Sequence, residues 1–456
     1  MISDFTAATR EAQALKAAGR LEESIALNAR IAAAFPNNNI ALHNLASALG
    51  DAGRWAEADR HIRAALALSA KPAETWLLAA RAAQALGRLD ESEHAFREAI
   101  QRKPLAAAHR ELAQLRWMRG ADIFAALADL DAAPPSPELT LVKAQALHEA
   151  GETAAAIATL TPLCGLGADP HLLITLAQFQ LAADDIDAAR ANAQSAIARI
   201  PSAAAANSTY IEALLAAGDL GAADAAAALY RQRAPLDQHA IALQATVWRA
   251  QNDPRYRALY DYDAFFRADY IDPPPQWSTR EAYLEALRQA LAPAHLYATH
   301  PFAQSVRRGS QAPDVMQIAH PAARALPEAL AAPIQRYLDQ LGAGGDPLRA
   351  RKKGGYCFQG MWSVRLQAGG RHINHVHPQG WISAVTYVDI PPARAGEGAI
   401  AFGQPGLRLA TPLSAERTHQ PKPGEVLFFP SYMWHGVRPF TGAGVRLTIA
   451  FDLVPR

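Results

Sequence analysis

The chain has 456 residues, more than one hydrophobic core usually supports, and we therefore expect two or three domains. Apolar residues make up 50% of the chain and charged residues 19%, which is typical of a folded globular protein and excludes a disordered one. The formal net charge of +1 gives no electrostatic reason to expect a nucleic acid or a membrane surface as a partner.

Cysteine usage and the N-terminal segment indicate the compartment. The two cysteines, Cys164 and Cys357, lie in halves of the chain that differ strongly in composition, so we expect no disulfide and a reducing environment. The N-terminal segment lacks the uninterrupted apolar stretch of a secretory signal, and no run reaches the ~18 apolar residues that span a bilayer. We therefore expect a cytoplasmic protein.

Residues 1–253 carry two markers that recur at close to the same period. Gly19, Gly53 and Gly87 are 34 residues apart. The second marker falls at Pro36, Ala70, Pro104, Pro137, Pro170, Pro201 and Pro235, in steps of 31 to 34 residues. Glycine ends a helix in a left-handed conformation, and proline follows a helix that it cannot continue. The pattern predicts helix–turn–helix repeats that bury their apolar faces by stacking on one another.

The segment GRWAEADRHIRAALALSAKPAETW, residues 53–76, resembles a tetratricopeptide repeat. The resemblance covers residues 8–253 with about seven repeats and weakens after Leu105, where we expect irregular helices. It implies an all-α solenoid whose concave groove binds a peptide or protein. A scaffold or dimerisation module without a peptide ligand is the alternative.

Residues 254–360 are expected to form a helical bridge. An aromatic stretch and three consecutive prolines open the segment and indicate an ordered connector. Ser278 and Glu281 have the spacing of a capping box, which predicts a helix beginning after Ser278. We expect these helices to cover one face of the next domain, so that a shortened chain beginning near Pro254 still folds.

Residues 361–456 change to short β-rich segments separated by Gly and Pro turns. WSVRLQ, WISAVTYVDI, GAIAFG, EVLFFP and VRLTIAFDL are rich in β-branched and aromatic residues and are bounded by residues that break strands. This pattern predicts a double-stranded β-helix, a small jelly-roll.

Three histidines of this domain are candidate metal ligands. His375 and His377 project to the same face of an extended chain, because side chains alternate along a strand. His435 follows 58 residues after His377, which leaves room for intervening strands to fold back. Two or three imidazoles on one face can bind one metal ion. The alternative is that these histidines have a structural role. His372 could be a ligand if the strand register is shifted.

The last predicted strand places Arg446 and Thr448 on one face. A guanidinium that points into a β core is costly unless it meets an anion, and a carboxylate matches its planar geometry. The threonine hydroxyl can assist. We therefore expect a carboxylate ligand at Arg446.

HVHPQGWISAVTYVDIP, GEVLFFPSYMWHGVRPF and RLTIAFDLVP resemble the 2-oxoglutarate/Fe(II) oxygenases that follow tetratricopeptide repeats in bacterial proteins. With QSVRRGSQ, which resembles an element before the β core of that family, the resemblance extends over residues 262–455. It implies that His375 and His435 are metal ligands and that Arg446 binds the C5 carboxylate of 2-oxoglutarate. His377 occupies the place of the usual carboxylate ligand, and a neutral three-histidine site would hold Fe(II) less tightly or suit zinc.

Further candidates follow from the strand faces and from the QSVRRGSQ segment. Tyr387 and Ser383 share a face and are candidate cosubstrate contacts, with packing as the alternative for Tyr387. Candidate substrate contacts are Gln304, Arg307, Gln311 and Arg365; turn hydrogen bonds and an outward ion pair are the alternatives.

The sequence as a whole is interpreted as a hydroxylase that uses Fe(II), 2-oxoglutarate and O2. Its substrate would be a peptide or protein recruited by the repeats. Two alternatives stay open: a binding scaffold with an inactive oxygenase domain, and a three-histidine dioxygenase that needs no 2-oxoglutarate.

Overall fold

The computed structural model describes residue 2 and residues 4–456. The chain divides into two compact units, Met1–Trp117 with Ala121–Ala146, and Met118–Gly120 with Leu147–Arg456. The helices of the N-terminal half, here called the helical array, are α1 (Phe5–Ala17), α2 (Leu21–Ala34), α3 (Asn39–Asp51), α4 (Trp55–Leu68), α5 (Ala73–Ala85), α6 (Leu89–Arg102), α7 (Ala106–Met118), α8 (Ile123–Ala126), α9 (Ala128–Asp131), α10 (Pro137–Glu149), α11 (Thr153–Leu160), α12 (Pro170–Ala182), α13 (Ile186–Arg199), α14 (Ala204–Ala217), α15 (Leu220–Arg233) and α16 (Gln238–Ala250).

The predicted repeat is confirmed at its turns. Gly19, Gly53 and Gly87 follow α1, α3 and α5 with φ of 74°, 70° and 74°, the left-handed conformation that glycine adopts without strain. The same conformation recurs at the matching position of the later repeats, at Gly120, Gly151, Asp184, Gly218 and Asn252. Asp and Asn tolerate this conformation better than other side chains, so the turn persists where glycine is missing. The irregularity expected after Leu105 is present as the short helices α8 and α9.

The rest of the chain combines short helices with an antiparallel sheet. Its helices are α17 (Tyr256–Leu259), α18 (Tyr262–Phe265), α19 (Arg280–Leu291), α20 (Pro321–Arg324) and α21 (Leu326–Leu341). Its strands are β1 (Arg267–Tyr270), β2 (Val306–Ala312), β3 (Tyr356–His375), β4 (Ile382–Asp389), β5 (Ile400–Phe402), β6 (Arg417–His419), β7 (Glu425–Pro430), β8 (His435–Val437) and β9 (Arg446–Pro455). None of the helices in the described part of the chain has the length and apolarity to cross a membrane.

The strands form the curled antiparallel sheet of the predicted double-stranded β-helix. Their order is β1-β7-β4-β9-β3-β8-β5-β6, and β2 pairs with β3. Strands β1 and β2 fall within residues 254–360, so the predicted bridge supplies strands as well as helices. Helix α19 begins one residue later than predicted, because Thr279 and not Ser278 caps it by accepting a hydrogen bond from the Ala282 amide.

Within the second unit, helix α16 packs into the core of the β domain. Ile241, Ala242 and Ala245 belong to the same buried cluster as strands β4, β7 and β9. Trp434 donates a hydrogen bond from its ring nitrogen to Thr246 Oγ1 at 3.0 Å. A chain beginning near Pro254 would lack this part of the core, so the packing argues against the expectation that it folds as well as the full chain.

Candidate functional site

Three local structures bring the candidate histidines together. His375 is the last residue of β3, His377 lies in the turn that follows, and His435 begins β8. Residues 375 and 435 are direct partners in the antiparallel ladder, which places their rings 4.3 Å apart. One ring nitrogen from each histidine lies within 4.8 Å of the others.

The hydrogen bonds of the other ring nitrogens set the tautomer of each ring. His375 Nδ1 lies 2.8 Å from the carbonyl oxygen of Ile373, and His435 Nδ1 lies 3.0 Å from that of Met433. A carbonyl oxygen only accepts, so both Nδ1 atoms carry the proton and both Nε2 atoms present a lone pair. His377 Nδ1 lies 2.7 Å from a carboxylate oxygen of Asp452, which favours the same tautomer. One nitrogen of each ring is therefore close enough to the other two to share a single ion.

Burial keeps the rings of His375 and His435 unprotonated. It lowers the pKa of His375 to about 3, with His377 as a further cause, and it lowers the pKa of His435 well below the ordinary value. Both rings are therefore neutral at pH 7, the form in which imidazole binds a metal.

The donor set fits a divalent transition metal. The Nε2 atoms of His375 and His377 are 3.2 Å apart. Two nitrogens bound at a right angle to one ion at ~2.1 Å lie about 3 Å apart, so a cation would replace lone-pair repulsion with coordination. The group that the structure defines among its described residues consists of His375, His377 and His435, without a carboxylate ligand.

The histidines line a cavity of about 630 Å³. Along β9, Arg446, Thr448, Ala450 and Asp452 line the same cavity, as the two-residue period of a strand requires. The sequence prediction that Arg446 and Thr448 share an inward face is confirmed by this alternation, which continues to Asp452.

Arg446 is buried without an anionic partner. Its side chain is among the largest fully buried ones, and its residue is 2% exposed. The guanidinium carbon lies 5.0 Å from the centre of the Tyr387 ring, and Nε has no hydrogen-bond partner in the described chain. Burial lowers the pKa of Arg446, while Tyr387 opposes that shift. A buried cation in this condition is a candidate partner for an anionic ligand.

Asp452 is a residue that the sequence interpretation missed. Its carboxylate accepts hydrogen bonds from His377 Nδ1 at 2.7 Å and from the Ser383 hydroxyl at 2.6 Å. The Ser383 hydroxyl also contacts that of Ser431 at 2.9 Å. Extending the alternation from Arg446 to every second residue of β9 would have identified Asp452. Ser383 was predicted as a cosubstrate contact; its hydroxyl is directed to Asp452, and that contact stays a prediction.

Three of the four candidate substrate contacts line the cavity, and the fourth, Arg365, does not. Gln304, Arg307 and Gln311 line the cavity, and Gln311 donates to the Gln304 side chain at 3.3 Å. Ser305, which the prediction did not include, places its hydroxyl 3.3 Å from His375 Nε2. His148 and Glu149, at the end of α10 and within the second unit, line the same cavity.

Arg365 was predicted as a possible pocket residue, and the structure corrects this. Its neighbours Trp362 and Val364 line the cavity, so Arg365 lies on the opposite face of β3. On that face the Ser363 hydroxyl hydrogen-bonds His295 Nε2 at 3.0 Å. Arg365 acts on His295 electrostatically, helping burial to lower the pKa of that ring to about 4.

Two further histidines of the β domain, His372 and His419, lie outside the three-histidine group. His419 pairs with Glu425, with 2.8 Å between Nε2 and Oε2, away from the cavity. His372 lies beside the cluster: its Nδ1 is 2.9 Å from the Ser305 hydroxyl, and its ring is 6.0 Å from that of His375. Residue 372 is therefore a neighbour of the three-histidine group and not a member of it.

Comparison with known protein families gives a match within the C-terminal part of the chain. Residues 360–452 match the family described as "Putative 2OG-Fe(II) oxygenase". The search of curated proteins gives no match.

Solved structures similar to the helical array include three tetratricopeptide-repeat proteins. The first such domain of Spaghetti bound to an HSP90 peptide is 21% identical, covering 25% of this chain and 90% of its own, with a TM-score of 0.24. A protein of Thermus thermophilus is 20% identical (46% and 100% covered, TM-score 0.29). The C-terminal part of a repeat protein of Cytophaga hutchinsonii is 16% identical (52% and 98% covered, TM-score 0.37).

Proposed function

We propose that this chain, in which residues 360–452 match a 2-oxoglutarate/Fe(II) oxygenase family, is an oxygenase that hydroxylates a peptide or protein substrate. The observation that carries the proposal is one cavity that holds both an imidazole triad and a buried, unpaired arginine. Three neutral nitrogens are ligands for a metal, and the arginine is a partner for a carboxylate of a second ligand. A 2-oxoglutarate/Fe(II) site requires both.

His375, His377 and His435 would hold Fe(II). When bound together, Fe(II) and 2-oxoglutarate supply a reaction in which O2 oxidises both molecules, so that 2-oxoglutarate yields succinate and CO2 and a substrate C–H becomes C–OH. The hydrogen bonds at Nδ1 keep each imidazole in the tautomer and orientation that binds metal before any ligand arrives. This preorganisation is the contribution of the protein to metal binding.

Arg446 would bind the C5 carboxylate of 2-oxoglutarate. The carboxylate would supply the negative charge that the guanidinium lacks, and the buried setting strengthens the pairing. Thr448 lines the cavity two residues along the same face and offers a hydroxyl. Tyr387, whose hydroxyl has no hydrogen-bond partner among the described residues, packs against the guanidinium.

A separate part of the cavity wall, formed by Gln304, Arg307 and Gln311, would contact the substrate together with His148 and Glu149. These side chains carry amide, guanidinium, imidazole and carboxylate groups, which suits a polar chain such as a peptide backbone better than an apolar small molecule. Residues of the helical array therefore contribute directly to the reaction cavity. That contribution supports a substrate delivered by the repeats.

An anaerobic titration with Fe(II), with and without 2-oxoglutarate, tests the proposal. We expect stoichiometric Fe(II) binding and a visible metal-to-ligand charge-transfer band that appears only when 2-oxoglutarate is added. Fe(II) binding without the band would favour a three-histidine dioxygenase that does not use 2-oxoglutarate. No Fe(II) binding at all would favour a scaffold with an inactive domain.

A further inference from the structure

The three-histidine group lacks the negative charge that a carboxylate ligand usually gives to an iron site. A buried carboxylate nevertheless lies one hydrogen bond away. Asp452 is 7% exposed, and its Oδ1 is 2.7 Å from His377 Nδ1, on the side of the ring that faces away from the other histidines. By the sequence resemblance, His377 is the histidine that takes the place of the usual carboxylate ligand.

We propose that Asp452 is a positioning residue that supplies, through His377, the negative charge missing from the metal ligands. A carboxylate that accepts the Nδ1 proton of a ligating imidazole increases the basicity of Nε2 and fixes the ring orientation. The inference rests on the proposed function, because it assumes that His375, His377 and His435 hold a metal.

The surroundings of Asp452 are built to hold it in place. Oδ1 also accepts a hydrogen bond from Ser383 at 2.6 Å, and Ser383 contacts Ser431. Gly380 approaches this group so closely that an added Cβ would lie 2.3 Å from Ser431 Oγ and 3.2 Å from Asp452 Cγ. The turn between His377 and β4 therefore requires glycine next to the carboxylate.

Only His377 has a carboxylate at Nδ1, whereas His375 and His435 donate to main-chain carbonyls in the described structure. A carbonyl fixes the tautomer as well as a carboxylate does but carries no charge. The difference separates the two effects that Asp452 can have, orientation and charge. Substitutions can therefore test them separately.

Asp452→Asn keeps an oxygen that can accept from His377 and removes the charge, whereas Asp452→Ala removes both. We expect Asp452→Asn to weaken Fe(II) binding on the order of 10- to 100-fold, the usual effect of losing such a partner, and Asp452→Ala to weaken it further. Dissociation constants for Fe(II) and Co(II) would be measured anaerobically by competition with a chelator on the full-length chain. Glu425→Gln is the matched control, because it neutralises another buried carboxylate that pairs with a histidine, His419, outside the cavity.

Nitrogen NMR shifts of His377 in the metal-free protein give a second measurement that does not depend on activity. Asp452→Asn should keep the Nδ1-protonated tautomer and Asp452→Ala should lose it. A double variant tests whether the charge can be moved to residue 377, where it would contact the metal directly. His377→Asp combined with Asp452→Asn should bind Fe(II) more tightly than His377→Asp alone. The single variant places two carboxylates in one buried pocket.

Asp452→Asn with wild-type Fe(II) and Co(II) affinity would overturn the inference. Equal losses in Asp452→Asn and Glu425→Gln would also overturn it, since they would indicate a general effect on folding. Metal binding without a charge-transfer band would refute the proposed oxygenase, while the Asp452 comparison would still decide the inference. A wild-type chain that binds neither metal would overturn both.

Discussion

Replacing Arg446 with methionine is expected to abolish tight 2-oxoglutarate binding without harming the fold. The guanidinium is 2% exposed and has no ion pair, so a bound carboxylate would be its sole anionic partner. Leaving that carboxylate buried without a partner costs on the order of 3–5 kcal/mol. At about 1.4 kcal/mol per factor of ten, the dissociation constant of 2-oxoglutarate should rise about 100- to 5000-fold.

Arg446→Met should not lower the stability of the metal-free protein, although it weakens 2-oxoglutarate binding. Arg446 is desolvated in the ligand-free state, and its compensation is the Tyr387 ring, a contact worth about 0.5–2 kcal/mol. Methionine keeps the apolar stem and removes the buried charge, a change that is often neutral or stabilising. We therefore expect an unchanged or higher thermal unfolding midpoint. A higher midpoint would mean that the buried charge of Arg446 lowers stability, as expected of a residue that serves ligand binding.

The assay is the charge-transfer band of the Fe(II) complex as 2-oxoglutarate is titrated, together with thermal unfolding of the metal-free chain. Arg365→Met is the matched control, because it removes an arginine of the same sheet that faces away from the cavity. Fe(II) affinity should be little changed in both variants. If Arg446→Met binds 2-oxoglutarate as tightly as the wild type, the cosubstrate assignment is wrong.

Three other outcomes are expected. His375→Ala and His435→Ala should each lose stoichiometric Fe(II) binding while the far-ultraviolet circular dichroism of the helices stays unchanged; retention of wild-type affinity in both would refute the ligand set. Burial lowers the pKa of His295 to about 4 from an ordinary 6.5. Between these two pH values the unfolded chain therefore binds more protons than the folded chain. Stability should therefore fall by up to about 3 kcal/mol as the pH drops from 6.5 to 4, and urea titrations should show a smaller fall in His295→Gln. A shortened chain of residues 254–456 should aggregate or unfold at a lower temperature than the full chain, because it lacks Thr246 and the α16 part of the core; equal stability by calorimetry would contradict this packing argument.

Much of the fold could be predicted because local chemistry and tertiary structure agree. The positions of Gly19, Gly53 and Gly87 gave both the period and the left-handed turns that the structure contains. Asp184 and Asn252 occupy the same turn position without glycine, so they do not stand out in the sequence. The contribution of α16 to the core of the β domain was not predictable, because an apolar helix face does not identify the surface that covers it.

The site was predictable where one face of a strand carries polar side chains. His375, His435, Arg446 and Thr448 all line one cavity, as expected. Arg365 was not assigned correctly, because both faces of β3 are buried and alternation alone cannot say which one meets the cavity. Buried Ser363 illustrates this, since it hydrogen-bonds His295 on the face away from the metal ligands.

The candidate metal ligand His435 also connects the cavity to the helical array. The preceding residue, Trp434, donates its ring N–H to Thr246 of α16 at 3.0 Å, and its amide donates to the Tyr260 hydroxyl at 3.0 Å. The position of a ligand nitrogen depends on the backbone that carries it, and here that backbone is held by a helix of the repeats. Because Glu149 of α10 also lines the cavity, the helical array forms part of the cavity wall as well as supporting the backbone of His435. The last repeats are therefore part of the structure that forms the candidate site, and a role limited to tethering a substrate would leave these contacts unexplained.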